Sequence, residues 1–273
     1  MANDAAAFLV LGPLEVRAGE RSIALGGPRQ RAVLADLVLH AGSVVSKDTL
    51  IEDLWAGRPP PTADAVVQNA VSRLRHALGK EAIETRAGGY SLRAEPGVVD
   101  ARRFERLVHD ARPLPPAERS AALRDALALW RGSPFADLSY ESFLQGEITR
   151  LDELRLTALE DRIEAEIELG AHGEVIPDAA RLAAQHPDRE RLCRLLMLAL
   201  ARAGRQQEAL DAYEATRRAL DEQWGLEPSP ETRALHRMIL SQDPALAPAQ
   251  PVAAAIGTVR RRCLLYTSDA ADD

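Results

Sequence analysis

Along the chain the spacing of apolar positions changes character once, near residue 100. Before it, short strand-like runs precede helical stripes. Phe8-Leu9-Val10-Leu11, Leu14-Glu15-Val16-Arg17 and Ser22-Ile23-Ala24-Leu25 read as strands, punctuated by Gly12-Pro13 and Ala18-Gly19-Glu20, and predict a small antiparallel sheet. Gly26-Gly27-Pro28 ends it, with Pro28 suited to a helix start. A first helix is expected over 29–40, with Val33, Leu34, Leu37 and Val38 on one face and Ala41-Gly42 closing it. Val44 and Val45 form an extended link, and Ser46 is a suitable N-cap for a second helix over 47–55 that buries Leu50, Ile51, Leu54 and Trp55. After Gly57 and Pro59-Pro60-Pro61, Thr62 is expected to cap a third helix over 63–78, with Asp64 in its first turn and Val67, Val71, Leu74 and Leu78 as its buried stripe. The runs 82–85 and 90–93 flank Ala87-Gly88-Gly89 and predict a hairpin with a glycine turn. Strands, three helices and a closing hairpin predict a winged helix-turn-helix of α+β type.

From Asp100 onward only the helical period remains. Helices are expected over 100–111, 116–131, 138–170, 174–186, 188–203, 206–223 and 230–241. Gly173-Glu174 and Gly204-Arg205 are similar turn points about one tetratricopeptide period (about 34 residues) apart, and Ala209, Leu210, Ala212, Tyr213 and Ala215 supply small and large residues for stacked helix pairs. The expected fold is mainly α: a winged-helix domain over 1–98, an all-α tetratricopeptide-like domain over 99–242 and a linker rich in Pro and Ala over 243–262. Arg260-Arg261-Arg262 ends the plausible protein. Residues 263–273, beginning at Cys263, resemble the translation of a transposase adapter from sequencing libraries and are set aside.

A length of 273 residues fits two domains, and a 46% hydrophobic but only 4% aromatic composition calls for a core of Leu, Ala and Val, which favours helices. Residues 1–98 hold 11 Lys and Arg against 11 Asp and Glu, so the whole net charge of −7 falls on the remainder. A polyanion site therefore has to be a local patch in the first third, while the acidic remainder suits a protein partner. No run of about 18 apolar residues predicts a membrane span, and the N-terminus lacks the basic region of a secretory signal. Two cysteines, Cys193 and Cys263, do not make a disulfide framework, and a cytoplasmic protein is expected. Gly79-Lys80-Glu81 does not continue as a phosphate-binding loop, and the metalloprotease, zinc-ribbon and nucleophile-elbow patterns are absent from the sequence. His40, His76, His109, His172, His186 and His236 are scattered. The pairs Asp152-Glu153 and Glu160-Asp161, close to Arg155 and Arg162, read as helix-surface ion pairs. No enzyme and no cofactor or metal are expected.

Chemistry concentrates on the third helix. Outside its apolar stripe lie Gln68, Asn69, Ser72, Arg73, Arg75 and His76, the residue types that read a major groove: Arg pairs with guanine, Asn or Gln with adenine. Arg73 and Arg75 lie about 200° apart on a helical wheel, so one is expected at a base and the other at a phosphate. The same face could instead be merely solvated; the hairpin beside it favours DNA. Arg86 next to Gly88 forms a wing tip suited to the minor groove, with Gly88 and Gly89 also explicable as turn residues needing positive φ. Arg29 and Arg31 at the first helix start, and Ser46 and Lys47 at the second, are candidate phosphate contacts or simple solubilising and capping residues.

Several stretches resemble the Streptomyces antibiotic regulatory protein family. They are Leu11-Gly12-Pro13-Leu14-Glu15-Val16, Gly27-Pro28-Arg29-Gln30-Arg31-Ala32-Val33-Leu34-Ala35, Leu50-Ile51-Glu52-Asp53-Leu54-Trp55, Val71-Ser72-Arg73-Leu74-Arg75 and Gly88-Gly89-Tyr90-Ser91-Leu92. Downstream, Asp100-Ala101-Arg102-Arg103-Phe104-Glu105, Ala126-Leu127-Ala128-Leu129-Trp130-Arg131-Gly132 with Pro134, and Leu226-Glu227-Pro228-Ser229-Pro230-Glu231 resemble its bacterial transcriptional activator domain. Ala70 is a departure, at a position where relatives often carry a polar residue. The resemblance implies an OmpR-type winged helix and a tetratricopeptide-like domain. It further implies an activator that binds direct repeats of double-stranded DNA near promoters of secondary-metabolite genes and recruits RNA polymerase, with a homodimer expected on DNA and no membrane partner. The alternatives are a helical-repeat interaction scaffold without DNA binding, and the N-terminal part of a larger regulator with an ATPase module.

Overall fold

The computed structural model describes residues 6–93 and 97–246. Most of the linker, Arg260–Arg262 and the 263–273 stretch with Cys263 lie outside the described residues. The chain begins with an antiparallel sheet of β1 (Ala7–Leu9), β2 (Glu15–Ala18) and β3 (Arg21–Ser22). Three helices follow: α1 (Pro28–Leu39), α2 (Lys47–Trp55) and α3 (Ala63–Leu78). The short strand β4 (Val45–Ser46), read from sequence as a link, pairs with β6 (Gly89–Leu92), which pairs in turn with β5 (Ile83–Arg86). The wing is thereby a three-stranded sheet whose inner edge is the segment that starts α2.

The three helix starts differ. Pro28 opens α1, where its missing N–H costs nothing. Ser46 caps α2 by accepting the Thr49 N–H at 2.9 Å. Thr62 does not cap α3: its backbone is not extended (φ −94°, ψ 5°) and its side chain makes no capping bond. α1 is the central element. Ala32 through Val38 are all buried, so the helix is enclosed on every side rather than on the one face predicted. That enclosure takes in Asp36, whose carboxylate lies 3.0 Å from His40 Nδ1.

Among the described residues that follow are seven α-helices: α4 (Asp100–Ala111), α5 (Pro116–Leu127), α6 (Gln145–Glu168), α7 (His172–Gln185), α8 (Glu190–Arg202), α9 (Gln206–Trp224) and α10 (Pro230–Leu240). α5 stops four residues before the predicted end and α6 starts seven after the predicted start, because the chain between them leaves the helical path to bond to the loop between β1 and β2. Successive helices from α6 to α9 pack as antiparallel neighbours, and α10 folds back on α8 and α9. The repeat points are Gly170 and Gly204, 34 residues apart, both left-handed (φ +87° and +76°). At each, the next residue's N–H returns to the helix, Ala171 to the Glu166 carbonyl and Arg205 to the Leu200 carbonyl, a Schellman closure. Gly173, the expected turn point, lies inside α7. Two apolar cores result. The first joins the winged helix to α4, α5 and the first part of α6, through Phe104, Leu123, Phe135, Leu144 and Leu151; the second lies among α6–α10.

Candidate nucleic-acid interface

α3 packs against α1 and α2 through Ala63, Val67, Ala70, Val71 and Leu74, with Leu78 half-buried. Ala70 is thus a packing residue and stands off the open face. Gln68, Asn69, Ser72, Arg73 and His76 are exposed and form a polar strip along the opposite side. Two clefts border it. One, of 760 Å³, lies between α3 and the wing and is lined by Gln68, Ser72, Arg75, His76, Lys80 and Thr85 among others. The other, of 310 Å³, lies between α3 and the start of α1 and is lined by Pro28, Arg29, Gln30, Asn69 and Arg73. Arg73 and Arg75 therefore face opposite clefts, as their angular separation requires.

Their chemistry differs. Among the described residues nothing pairs with the Arg73 guanidinium, which leaves it open to a ligand. Arg75 is committed: its Nε donates to the Ile83 carbonyl at 2.8 Å, its Nη2 to Thr85 Oγ1 at 2.7 Å, and the guanidinium lies 5.9 Å from the Tyr90 ring centre. It ties α3 to the wing rather than standing free for DNA. Tyr90 is buried beneath it.

The other candidates divide the same way. Gln68 donates to Asp64 at 2.6 Å, and Lys47 lies 3.6 Å from the same carboxylate. Ser46 spends its hydroxyl on the α2 cap and on Thr49. Arg86 is exposed at the wing tip and bonds Glu84 at 2.8 Å. Arg29 stays at the cleft mouth, donating to the Leu54 carbonyl at 2.8 Å and lying 5.0 Å from the Trp55 ring centre. Arg31 is withdrawn: it bonds Asp137 and donates to the Leu14 carbonyl at 2.6 Å, so it is a strut between the two halves of the chain. Gly88 has φ +82°, as a wing turn requires. Gly89 does not; it is needed because a Cβ there would lie 2.0 Å from the Val45 carbonyl oxygen. Lys80, which the sequence reading passed over, is exposed on the wing-side cleft and has no partner among the described residues. Its position directly after the glycine that ends α3 was the available signal. Among the described residues no group of His, Cys, Asp and Glu could hold a metal ion, and no helix is long and apolar enough to cross a membrane.

Comparison with known proteins agrees with this architecture. Residues 20–92 match the family "Transcriptional regulatory protein, C terminal", and residues 99–240 match the "Bacterial transcriptional activator domain". The regulatory protein DnrI of Streptomyces peucetius is 34% identical over 90% of this chain and 97% of its own length. The regulatory protein AfsR of Streptomyces griseus is 37% identical over 89% of this chain, which spans only 25% of that protein. The solved structure of Mycobacterium tuberculosis EmbR in complex with a low affinity phosphopeptide superposes with a TM-score of 0.83 at 34% identity, covering 88% of this chain and 66% of that one. With an activator domain matched over half its length and a similar relative spanned almost end to end, the chain belongs to the Streptomyces antibiotic regulatory protein family of transcriptional regulators.

Proposed function

We propose that this protein is a sequence-specific DNA-binding activator of secondary-metabolite genes, working in the cytoplasm as a pair of copies on direct repeats near a promoter and helping to recruit RNA polymerase. The observation that carries this reading is the exposed strip of Gln68, Asn69, Ser72, Arg73 and His76 beside a glycine wing. An α-helix fits a major groove, and these side chains can reach base edges there. Arg73 contacts a base or phosphate on the α1 side of the strip; Lys80 and Arg86 meet the backbone or minor groove on the wing side. Arg29 and Lys47 supply phosphate contacts at the margins. The acidic helical domain is the surface for protein partners, since its charge repels a duplex.

The test is competition binding on the protein's own promoter. Gln68→Ala with Asn69→Ala should erase the preference for promoter over random duplex while leaving residual binding at low salt. Equal preference in the variant and the wild type would overturn the assignment of α3 as the reading helix.

A further inference from the structure

Two motifs that mark the family in the sequence received no role there: Leu11-Gly12-Pro13-Leu14 at the start and Trp130-Arg131-Gly132 with Pro134 far downstream. In the structure they lie against each other. The Arg131 N–H donates to the Leu11 carbonyl at 2.7 Å, Phe135 to Val10 at 3.0 Å and Ala136 to Gly12 at 3.2 Å. A Cβ on Gly12 would stand 3.0 Å from Arg131 Cβ, so a glycine lets the two strands of chain meet. Three side chains close the contact. Buried Asp100 accepts the N–H groups of Val10 (2.7 Å) and Leu11 (3.2 Å). Asp137 accepts the Leu14 N–H at 2.6 Å and the Arg31 Nε at 2.7 Å. Arg131 reaches Glu15 at 2.7 Å and the Pro13 carbonyl at 3.1 Å. Arg31 belongs to α1, next to Gln30, which lines the cleft shared with Arg73. Beneath these bonds the apolar core runs without a break from β1 into α6.

We propose that the winged helix and the helical domain as far as the first half of α6 form one cooperative unit, and that Asp100, Arg131 and Asp137 are positioning residues that fix the DNA-reading helix relative to α4–α6. The boundary between the two cores then falls within α6, where Leu156 belongs to the second core and Ala158 to the first. The cooperative unit stands without DNA; its aiming of α3 at a duplex rests on the function proposed above.

Native-state hydrogen exchange on the full chain tests the unit. In rising denaturant the slowest amides of α1, α4 and α5 should converge on one opening reaction, distinct from that of α8 and α9. Arg131→Ala and Asp137→Asn should speed exchange in α1, α3 and α4 together by about tenfold or more, leaving α8 unchanged. Convergence in the wild type suffices should a variant fail to fold. Acceleration confined to residues 10–14 and 131–137, or an opening of α1–α3 alone, overturns the unit. Positioning has its own readout: inserting about 5 base pairs, half a helical turn, between two promoter repeats should abolish paired binding by the wild type and be tolerated by Asp137→Asn. An even loss at both spacings assigns Asp137 a merely structural role. Absence of any promoter binding by the wild type counts against the proposed function, and the exchange result is unaffected.

Discussion

Arg73 and Arg75 sit two residues apart on one helix, and the structure gives them separable roles that one pair of variants distinguishes. Arg73→Ala removes a guanidinium with no partner among the described residues, so thermal stability should stay within about 0.5 kcal/mol of the wild type. Its loss should appear only with DNA, at about 1–3 kcal/mol, which is about 5- to 150-fold in affinity. If its contact is a phosphate, the dependence of log affinity on log salt should also become shallower by about 1. Arg75→Ala instead removes bonds of 2.8 Å to the Ile83 carbonyl and 2.7 Å to the Thr85 hydroxyl. At about 1 kcal/mol each these hold the wing with about 2 kcal/mol. The variant should melt earlier and bind more weakly because the wing is misplaced, at an unchanged salt slope. Lysine should not rescue it, since one ammonium does not reproduce the planar fork that reaches both acceptors. The assay is fluorescence anisotropy on a promoter fragment across a salt series, with thermal denaturation of the same samples. An Arg73→Ala protein of wild-type affinity and slope, or an Arg75→Ala protein of wild-type melting temperature and reduced slope, would refute the division of roles.

Three further outcomes follow from the winged helix. Burial, and the Asp53 carboxylate beside it, raise the Asp36 pKa from 3.8 to about 6 against the opposing pull of His40; a folded value above the unfolded one means stability fully present below pH 3.8 and lost as pH rises through about 6. Asp36→Asn should therefore raise the urea midpoint at pH 8, by on the order of 3 kcal/mol in unfolding free energy, and leave it unchanged at pH 4; coincident urea curves at pH 8 would count against the buried charge. Gly89→Ala should cost more DNA affinity than Gly88→Ala, since its Cβ meets the Val45 carbonyl at 2.0 Å while Gly88 has open space and only a positive φ to strain; the reverse order in a binding titration would contradict the β4–β6 pairing. Glu84→Gln should release Arg86 and tighten binding, steepening the salt slope by up to about 1; a weaker complex would show that Glu84 orders the wing tip for contact.

Local signals carried much of this fold. α2, α3 and α4 occupy the spans expected from their apolar stripes, because glycines, a serine cap and the prolines around them act within a few residues. What the periodicity could not show was long-range. Residues 128–131 and 138–144 are expected to be helical on either side of Gly132-Ser133-Pro134, but the carbonyls of Leu11, Val10 and Gly12 accept the N–H groups of Arg131, Phe135 and Ala136 and hold the chain there off the helical path. Phe135 is buried there at φ +49°, a left-handed conformation that a phenylalanine adopts only under such constraint. The site shows the same limit. Spacing places Arg75 and Arg31 on polar sides of their helices, yet whether those sides meet solvent, wing or a second domain depends on residues 8 and 106 positions away. Arg73, exposed and without a partner among the described residues, is the one of the three that stays on an open face, as helix geometry alone suggests.

The charge pattern bears on how the reading strip would be used. Of the cations around α3, Lys47 is matched by Asp64 and Arg86 by Glu84, while Arg31 and Arg75 are spent inside the protein. Arg73 and Lys80 stand without a partner among the described residues. On the proposed function, a duplex approaching one copy gains few new charge contacts and must compete for two that are already made, so counterion release should add little to the affinity of a single copy. Selectivity profits from this, because a weak phosphate term leaves base contacts to decide between sites. Under the same proposal, useful occupancy comes from two copies whose second binding event is made intramolecular, and that gain is lost when the spacing between reading helices is loose. On the proposed function, an activator with a nearly neutral reading domain has reason to fasten that domain to the adjoining helices, here through Asp100 and Asp137, rather than hang it on a flexible tether.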